Sequence, residues 1–237
     1  MEPFYDRVIL KLSGEVLAGE NGFGYDFEML DRISLAIGEC KELGTQIGIV
    51  VGGGNFWRGR SCGEMHRASA DNVGMLATAM NAIVLSDALY QNGINNRVMS
   101  AIFMPKICEH YVVEKARDYM KNVGVVIFAC GTGNPFFSTD TAAALRAAEI
   151  EADIILKASM VDGIYDSDPK VNANAVLFNS LTYLDVLNLG LRVMDSTAAT
   201  LCRDNEIPIL VFNLNDPKNI VRAISGDDIG TIVKEVK

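Results

Sequence analysis

The side chains of this sequence best suited to chemistry gather where short apolar runs stop. The first run ends in Lys11-Leu12-Ser13-Gly14-Glu15, a lysine beside a hydroxyl and a glycine whose N–H can approach an anion. Taken alone, such a lysine reads equally well as a surface residue laying its stem along apolar neighbours. The second run ends in Gly52-Gly53-Gly54-Asn55, with Arg58 shortly after. Consecutive glycines let the backbone turn several N–H groups onto one ligand, and such a nest binds anionic oxygens. Arg58 adds a planar, permanently charged fork that matches phosphate.

A later run leads into Gly131-Thr132-Gly133-Asn134-Pro135-Phe136-Phe137-Ser138-Thr139-Asp140 and then an alanine-rich helical stretch. Thr132, Asn134, Ser138 and Thr139 offer donors to phosphate, and the helix N-terminus adds the positive end of its dipole. Asp140 at that junction suits a helix cap as well as a site role. Another run ends in Lys157-Ala158-Ser159 and continues through Asp162-Gly163, Tyr165 and Asp168-Pro169. That loop offers an aromatic face and acceptors to a base and ribose, although a plain surface turn explains it almost as well. The chemistry implied is phosphate binding and transfer. No G-x-x-x-x-G-K-[ST] occurs, and the run from Gly131 to Phe136 lacks the third glycine of a dinucleotide turn, so neither common nucleotide fingerprint applies.

The elements that must position these segments alternate. Strand-like runs fall at Val8 to Leu12, Gln46 to Val51, Asn96 to Ala101, Val125 to Ala129, Asp153 to Leu156, Ile207 to Phe212 and Thr231 to Val236. Asp26 can cap a helix whose Met29, Leu30, Ile33, Ile37 and Cys40 follow helical spacing, with Gly44 just past its end. Further helices are expected from Ala70 to Gln91, Tyr111 to Lys121 and Thr139 to Ile150. Strands buried on both faces read as near-continuous apolar runs, as Val125 to Phe128 and Ile154 to Leu156 do. The expectation is an α/β fold, a three-layer α/β/α sandwich around a mainly parallel sheet. Nothing in composition divides the chain, so residues 1–237 are expected to form one domain. In such sheets ligands bind beyond the carboxyl ends of the strands, where the four segments lie.

With 237 residues and 49% hydrophobic content, the chain can bury a full core. Charges and glycines interrupt its apolar runs before the roughly 18 residues a membrane helix needs. The acidic start from Met1 to Asp6 lacks a secretory signal pattern, so a cytoplasmic location is expected. Cys40, Cys62, Cys108, Cys130 and Cys202 form no C-x-x-C pair and read as reduced, buried thiols. With His66 and His110 the only histidines and no cysteine pair near them, no protein-held metal site is expected. A net charge of -9 argues against general nucleic-acid binding, so an anionic ligand must be held locally.

Together these segments resemble the amino acid kinase family, and within it the bacterial UMP kinases, over nearly the whole chain. The run from Gly131 to Asp140 with Pro-Phe-Phe at its middle is the most specific element. Lys-x-Ser-Gly and the triple glycine occur more widely in the superfamily. The resemblance implies the amino acid kinase fold, with the N-terminal half mainly binding UMP and the C-terminal half mainly ATP. It implies ATP contacts from Lys11, Leu12, Ser13, Gly14, Gly54 and Arg58, with Ser159, Tyr165 and Asp168 on the adenosine. It places Gly53 and Asp71 on UMP, Asp71 through the ribose hydroxyls, and wraps the base and phosphate with Thr132, Gly133, Asn134, Pro135, Phe136, Phe137, Ser138 and Thr139. Lys11, Arg58, Asp140 and Lys157 become the catalytic set, with Mg2+ arriving on ATP. The resemblance further implies a homohexamer with GTP as activator and UTP as inhibitor. Met160 stands where relatives often carry a second lysine.

Two other readings remain at this point. One is an amino acid kinase acting on a small carboxylate, for which the Pro-Phe-Phe wall and Asp71 would be surplus. The other is a non-catalytic nucleotide-binding or storage protein on the same fold.

Overall fold

The computed structural model describes residues 4–57, 65–169, 171–191 and 193–235. Arg58 and Cys62 lie outside the described residues. In chain order the elements are β1 (Arg7–Leu12), α1 (Gly14–Ala18), α2 (Phe27–Glu42), β2 (Gln46–Val51), α3 (Arg67–Gln91), β3 (Asn96–Ser100), β4 (Glu109–His110), α4 (Val113–Asn122), β5 (Val125–Ala129), α5 (Thr139–Ile150), β6 (Ile154–Ser159), β7 (Ser180–Leu181), α6 (Tyr183–Asn188), α7 (Ser196–Asp204), β8 (Ile209–Asn213), α8 (Lys218–Ile224) and β9 (Thr231–Val233).

The strands form one nine-stranded sheet in the order β4-β3-β5-β2-β1-β6-β8-β9-β7. Every pairing is parallel except β8 with β9. Successive side chains of a strand face opposite sides, and the cores divide accordingly. Val8, Leu10 and Leu12 of β1 join Ile47, Ile49, Leu156 and Phe212 in a core closed by α1, α2, α3 and α8. Ile9 joins Val50, Val126, Phe128, Ile155 and Val211 on the other face, closed by α4, α5, α6 and α7. This is the expected three-layer α/β/α sandwich. Each fully buried Leu or Ile in it contributes about 1.5–3 kcal/mol.

Local signals set the helices that matter for the site. Asp26 caps α2, accepting from the Met29 N–H at 3.0 Å. Ser138 caps α5, accepting from the Asp140 and Thr141 N–H groups at 3.0 and 3.2 Å. Ala142, Ala143, Ala144 and Ala147 then let α5 lie close against the sheet and α7.

Some boundaries differ from the sequence reading. α3 begins at Arg67 rather than Ala70, so Asp71 sits in its second turn rather than at its start. β6 runs through Ser159, which places Lys157 inside a strand rather than at its end. Its register explains why: Lys157 pairs with Lys11 of β1 and with Val211 of β8, so the ladder continues past the charge.

Candidate active site

Because the strands from β3 to β8 are parallel, their carboxyl ends open on one edge of the sheet. There the in-register pair Lys11 and Lys157 projects from one face of neighbouring strands. Two ammonium groups side by side need an anion between them, and Asp140 in the first turn of α5 supplies it. Lys11 Nζ stands 2.8 Å from Oδ1, a charge pair off the ideal hydrogen-bond direction. Lys157 Nζ donates to Oδ2 at 2.8 Å and also to the Val193 carbonyl.

The three side chains are largely withdrawn from water, with 9%, 17% and 17% exposure for Lys11, Asp140 and Lys157. Burial pushes the Asp140 carboxyl up, but the charges of Lys11 and Lys157 together outweigh it and hold the group at about 2. Burial pulls Lys157 below the ordinary lysine value, and Lys11 adds to this, while Asp140 opposes it. The cluster therefore carries one net positive charge when all three groups are ionised. It is a preorganised cationic centre, the arrangement that stabilises charge developing on a transferring phosphoryl group. Asp140 does not cap α5; Ser138 does, which leaves the carboxylate free to hold the lysines.

Beside this centre the glycine turn after β2 is fastened by buried amides. Asn81 of α3 donates to the Gly52 carbonyl at 2.6 Å and to Asn55 Oδ1 at 2.7 Å, while Asn55 donates to the Gly24 carbonyl at 2.8 Å. Gly14 is required by proximity: a Cβ there would lie 2.4 Å from Asn55 Oδ1 and 2.6 Å from the Gly54 nitrogen. Ser13 caps α1 through the Val16 N–H at 3.4 Å, and Leu12 is fully buried, so only its backbone faces the turn.

Two cavities flank the centre. One, of 230 Å³, is bounded by Gly53 and Trp57, by Asp71, Met75 and Thr78 of α3, and by the segment from Gly131 to Thr139. Thr132, Asn134, Phe137, Ser138 and Thr139 line it, while Gly133, Pro135 and Phe136 do not. The Ser138 hydroxyl is committed to Asp195, and Thr132 Oγ1 accepts from the Asn134 N–H at 3.2 Å. Asp71 accepts from Arg67 and from the Phe136 N–H. The second cavity, of 570 Å³, is lined by Lys157, Ser159, Tyr165 and Asp168 with apolar walls from Ile164, Leu191, Val193 and Val211. Lys157 thus belongs both to the charged centre and to this cavity. Asp162 accepts from Asn213 at 2.8 Å and from the Tyr165 hydroxyl at 3.2 Å. Met160 is exposed and lines neither cavity.

Asp195 and Asn81 are among the residues of this site that the sequence reading does not find. Asp195 caps α7 through the Ala198 N–H at 2.9 Å and accepts from Thr141 Oγ1 at 3.0 Å as well as from Ser138, so it ties the start of α5 to the start of α7. Its signal was the cap pattern Asp195-Ser196-Thr197. Asn81 carries none, standing with Thr78 among the apolar residues of the buried face of α3.

A mainly parallel α/β sandwich with a Lys–Asp–Lys centre beside two cavities is an arrangement suited to phosphoryl transfer. The sequence model of the amino acid kinase family matches residues 6–213, and the chain belongs to that family. Within it, the chain is similar to the UMP kinase of Bacillus anthracis, with 37% identity, a TM-score of 0.94 and coverage of 98% of this chain and 97% of that one. It is also similar to the UMP kinase of Ureaplasma parvum, with 39% identity, a TM-score of 0.92 and coverage of 97% and 99%. The uridylate kinase of Archaeoglobus fulgidus aligns at 29% identity, with a TM-score of 0.74 and coverage of 95% and 99%.

Proposed function

We propose that the protein transfers the γ-phosphate of ATP to UMP, reversibly, giving UDP and ADP for pyrimidine nucleotide synthesis. The observation that carries this reading is the Lys11–Asp140–Lys157 centre standing between a smaller cavity walled by Trp57, Met75 and Phe137 and a larger one suited to adenosine. UMP occupies the first, with Gly53, Asp71 and the segment from Thr132 to Thr139 around it. ATP occupies the second, its adenosine at Ser159, Tyr165 and Asp168 and its phosphates over Lys11, Gly14 and Gly54, with Arg58 contributing from outside the described residues.

The acceptor is a phosphate monoester whose second pKa is near 6, so it is largely dianionic at pH 7 and needs no general base. The enzyme's work is alignment of two polyanions and charge neutralisation. Lys11 and Lys157 face the bridging region, Asp140 sets their spacing, and the glycine N–H groups take phosphate oxygens. Magnesium enters as the counterion of ATP. Magnesium keeps several waters and is held through substrate phosphates rather than by an all-protein cage.

A small-carboxylate acceptor is the weaker reading, because it carries no base to fill the apolar walls that Trp57, Met75 and Phe137 give the smaller cavity. Self-association, as a homohexamer, completes the proposal. Val73, Leu76, Met80 and Ile83 form an exposed apolar stripe along α3, opposite the buried Met75, Ala79, Ala82 and Leu85. A second copy covering that stripe removes it from water. GTP activation, UTP inhibition and a cytoplasmic location belong to the same reading.

The test is ADP release measured across UMP, CMP, dTMP, glutamate, aspartate and acetylglutamate. Release dependent on UMP supports the proposal. Release driven by an amino acid, or none with any acceptor, rejects it.

A further inference from the structure

Asp71 is engaged on two sides before any nucleotide arrives. Arg67, one turn earlier on α3, donates through Nε to both carboxylate oxygens, at 3.0 Å to Oδ1 and 2.8 Å to Oδ2. The Phe136 N–H donates to Oδ2 at 2.8 Å, and the Arg67 guanidinium stands 5.7 Å from the centre of the Phe136 ring. The Arg67 side chain is 42% exposed and that of Asp71 only 16%, so the arginine backs the carboxylate from the solvent side while Asp71 faces the 230 Å³ cavity. Phe136 holds φ at 74°, a conformation that a bulky residue keeps only where its surroundings impose it. The bond to Asp71 is one such restraint. It joins the Pro-Phe-Phe segment to α3 across the cavity mouth.

This arrangement answers two chemical needs. A bare carboxylate in the wall of a pocket built for a dianion repels its own ligand, and an adjacent guanidinium cancels that field. A carboxylate also has about four lone-pair directions, and a bridging Nε with one backbone N–H leaves acceptor capacity for hydroxyl donors. Resting on the reading of this cavity as the acceptor-nucleotide site, we propose that Arg67 is a positioning residue for the acceptor. It fixes and neutralises Asp71 so that the acceptor capacity left on Oδ1 receives a ribose hydroxyl. Through Asp71 it sets the preference for a ribonucleotide over its 2′-deoxy form. Arg67 touches neither the reacting phosphates nor Lys11, so it governs acceptor binding rather than the transfer step.

The experiment compares wild type, Arg67→Gln and Arg67→Lys with UMP and dUMP as acceptors, recording KM for each acceptor, KM for ATP, kcat and the melting temperature. In Arg67→Gln, KM for UMP rises about tenfold, the size of one charge-assisted hydrogen bond. KM for ATP and kcat stay near wild type, and the preference for UMP over dUMP narrows. Arg67→Lys keeps the charge without the bridging Nε and falls between. An unchanged KM for UMP in Arg67→Gln overturns the inference, as does an equal rise for UMP and ATP with a lowered melting temperature, which marks a structural role. A wild type with no preference for UMP over dUMP overturns it as well. A wild type that phosphorylates no uridine nucleotide instead rejects the assignment of the cavity itself.

Discussion

Replacing Asp140 by asparagine removes the one anion between two buried ammonium groups while keeping the shape of the side chain. The magnitude follows from the carboxyl's titration. Its pKa falls from 3.8 to about 2 on folding, so the charged form is favoured in the native state. At about 1.4 kcal/mol per pKa unit, that contributes roughly 2 kcal/mol at neutral pH. The group's folded pKa is depressed, so its contribution is full above the unfolded value and is lost as pH falls from about 4 toward 2. The neutral amide also leaves Lys11 and Lys157 facing each other, and breaking a buried pair costs about 3–5 kcal/mol. Lys157 already sits low because of burial and loses its main opposing influence, so shedding its proton offsets part of that cost. The net expectation is a loss of about 3 kcal/mol, which for a chain of this size lowers Tm by about 10 °C. Urea unfolding of Asp140→Asn and wild type at several pH values provides the assay. The gap between them should be widest near neutrality. It should narrow below pH 4 as Asp140 protonates in the wild type, and in alkali as Lys157 discharges in the variant. A gap under about 0.5 kcal/mol, the scale of an ordinary surface substitution, or one independent of pH, would refute the reasoning.

Lys11→Met should retain ATP binding and lose about a hundredfold or more in turnover, the scale of one electrostatic contact made in the transition state; near-normal turnover removes Lys11 from the mechanism. Gly14→Ala forces a methyl group against the Gly54 nitrogen and the Asn55 side chain, and should cost about 1–3 kcal/mol in urea unfolding and weaken ATP binding in calorimetry. Asn81→Leu strands the Gly52 carbonyl and the Asn55 amide, at about 1–3 kcal/mol per unpaired group, and should raise KM for both substrates because the glycine turn loosens. Met160→Lys should leave turnover near wild type, since Met160 is exposed and lines neither cavity; a clear rise at saturating magnesium would show that a cation at this position reaches the phosphates.

Much of this fold is legible in the sequence because its strands are buried on both faces. β2 and β5 are continuous apolar runs ended by glycine or cysteine-glycine, and their bounds agree with the sequence reading. The bounds of α5 agree too, since a serine cap and a run of alanines define the helix locally. The sequence pattern ends β6 at Leu156 because Lys157 breaks the apolar run, whereas the ladder is set by Lys11 and Val211 in neighbouring strands. The helices from α6 to α8 are only six to nine residues long, too short for periodicity to stand out.

The site divides in the same way. Lys11, Asp140 and Lys157 were visible as unusual residue types at strand and helix ends. That both lysines share one carboxylate depends on their register across β1 and β6, a tertiary relation no spacing reveals. Asp195 and Ser138 are joined across 57 positions, and Asp71 and Phe136 across 65, so each partner alone reads as a cap or a surface charge.

The decisive measurement follows labelled phosphate. The purified protein is incubated with ATP labelled in its γ-phosphate, magnesium and UMP, and the products are separated. The label should pass to the β-phosphate of UDP, in proportion to ADP formed, and should stay in ATP when UMP is withheld or replaced by glutamate. Label recovered on an amino acid acceptor, or released only as inorganic phosphate, would contradict phosphoryl transfer to UMP at the Lys11–Asp140–Lys157 centre.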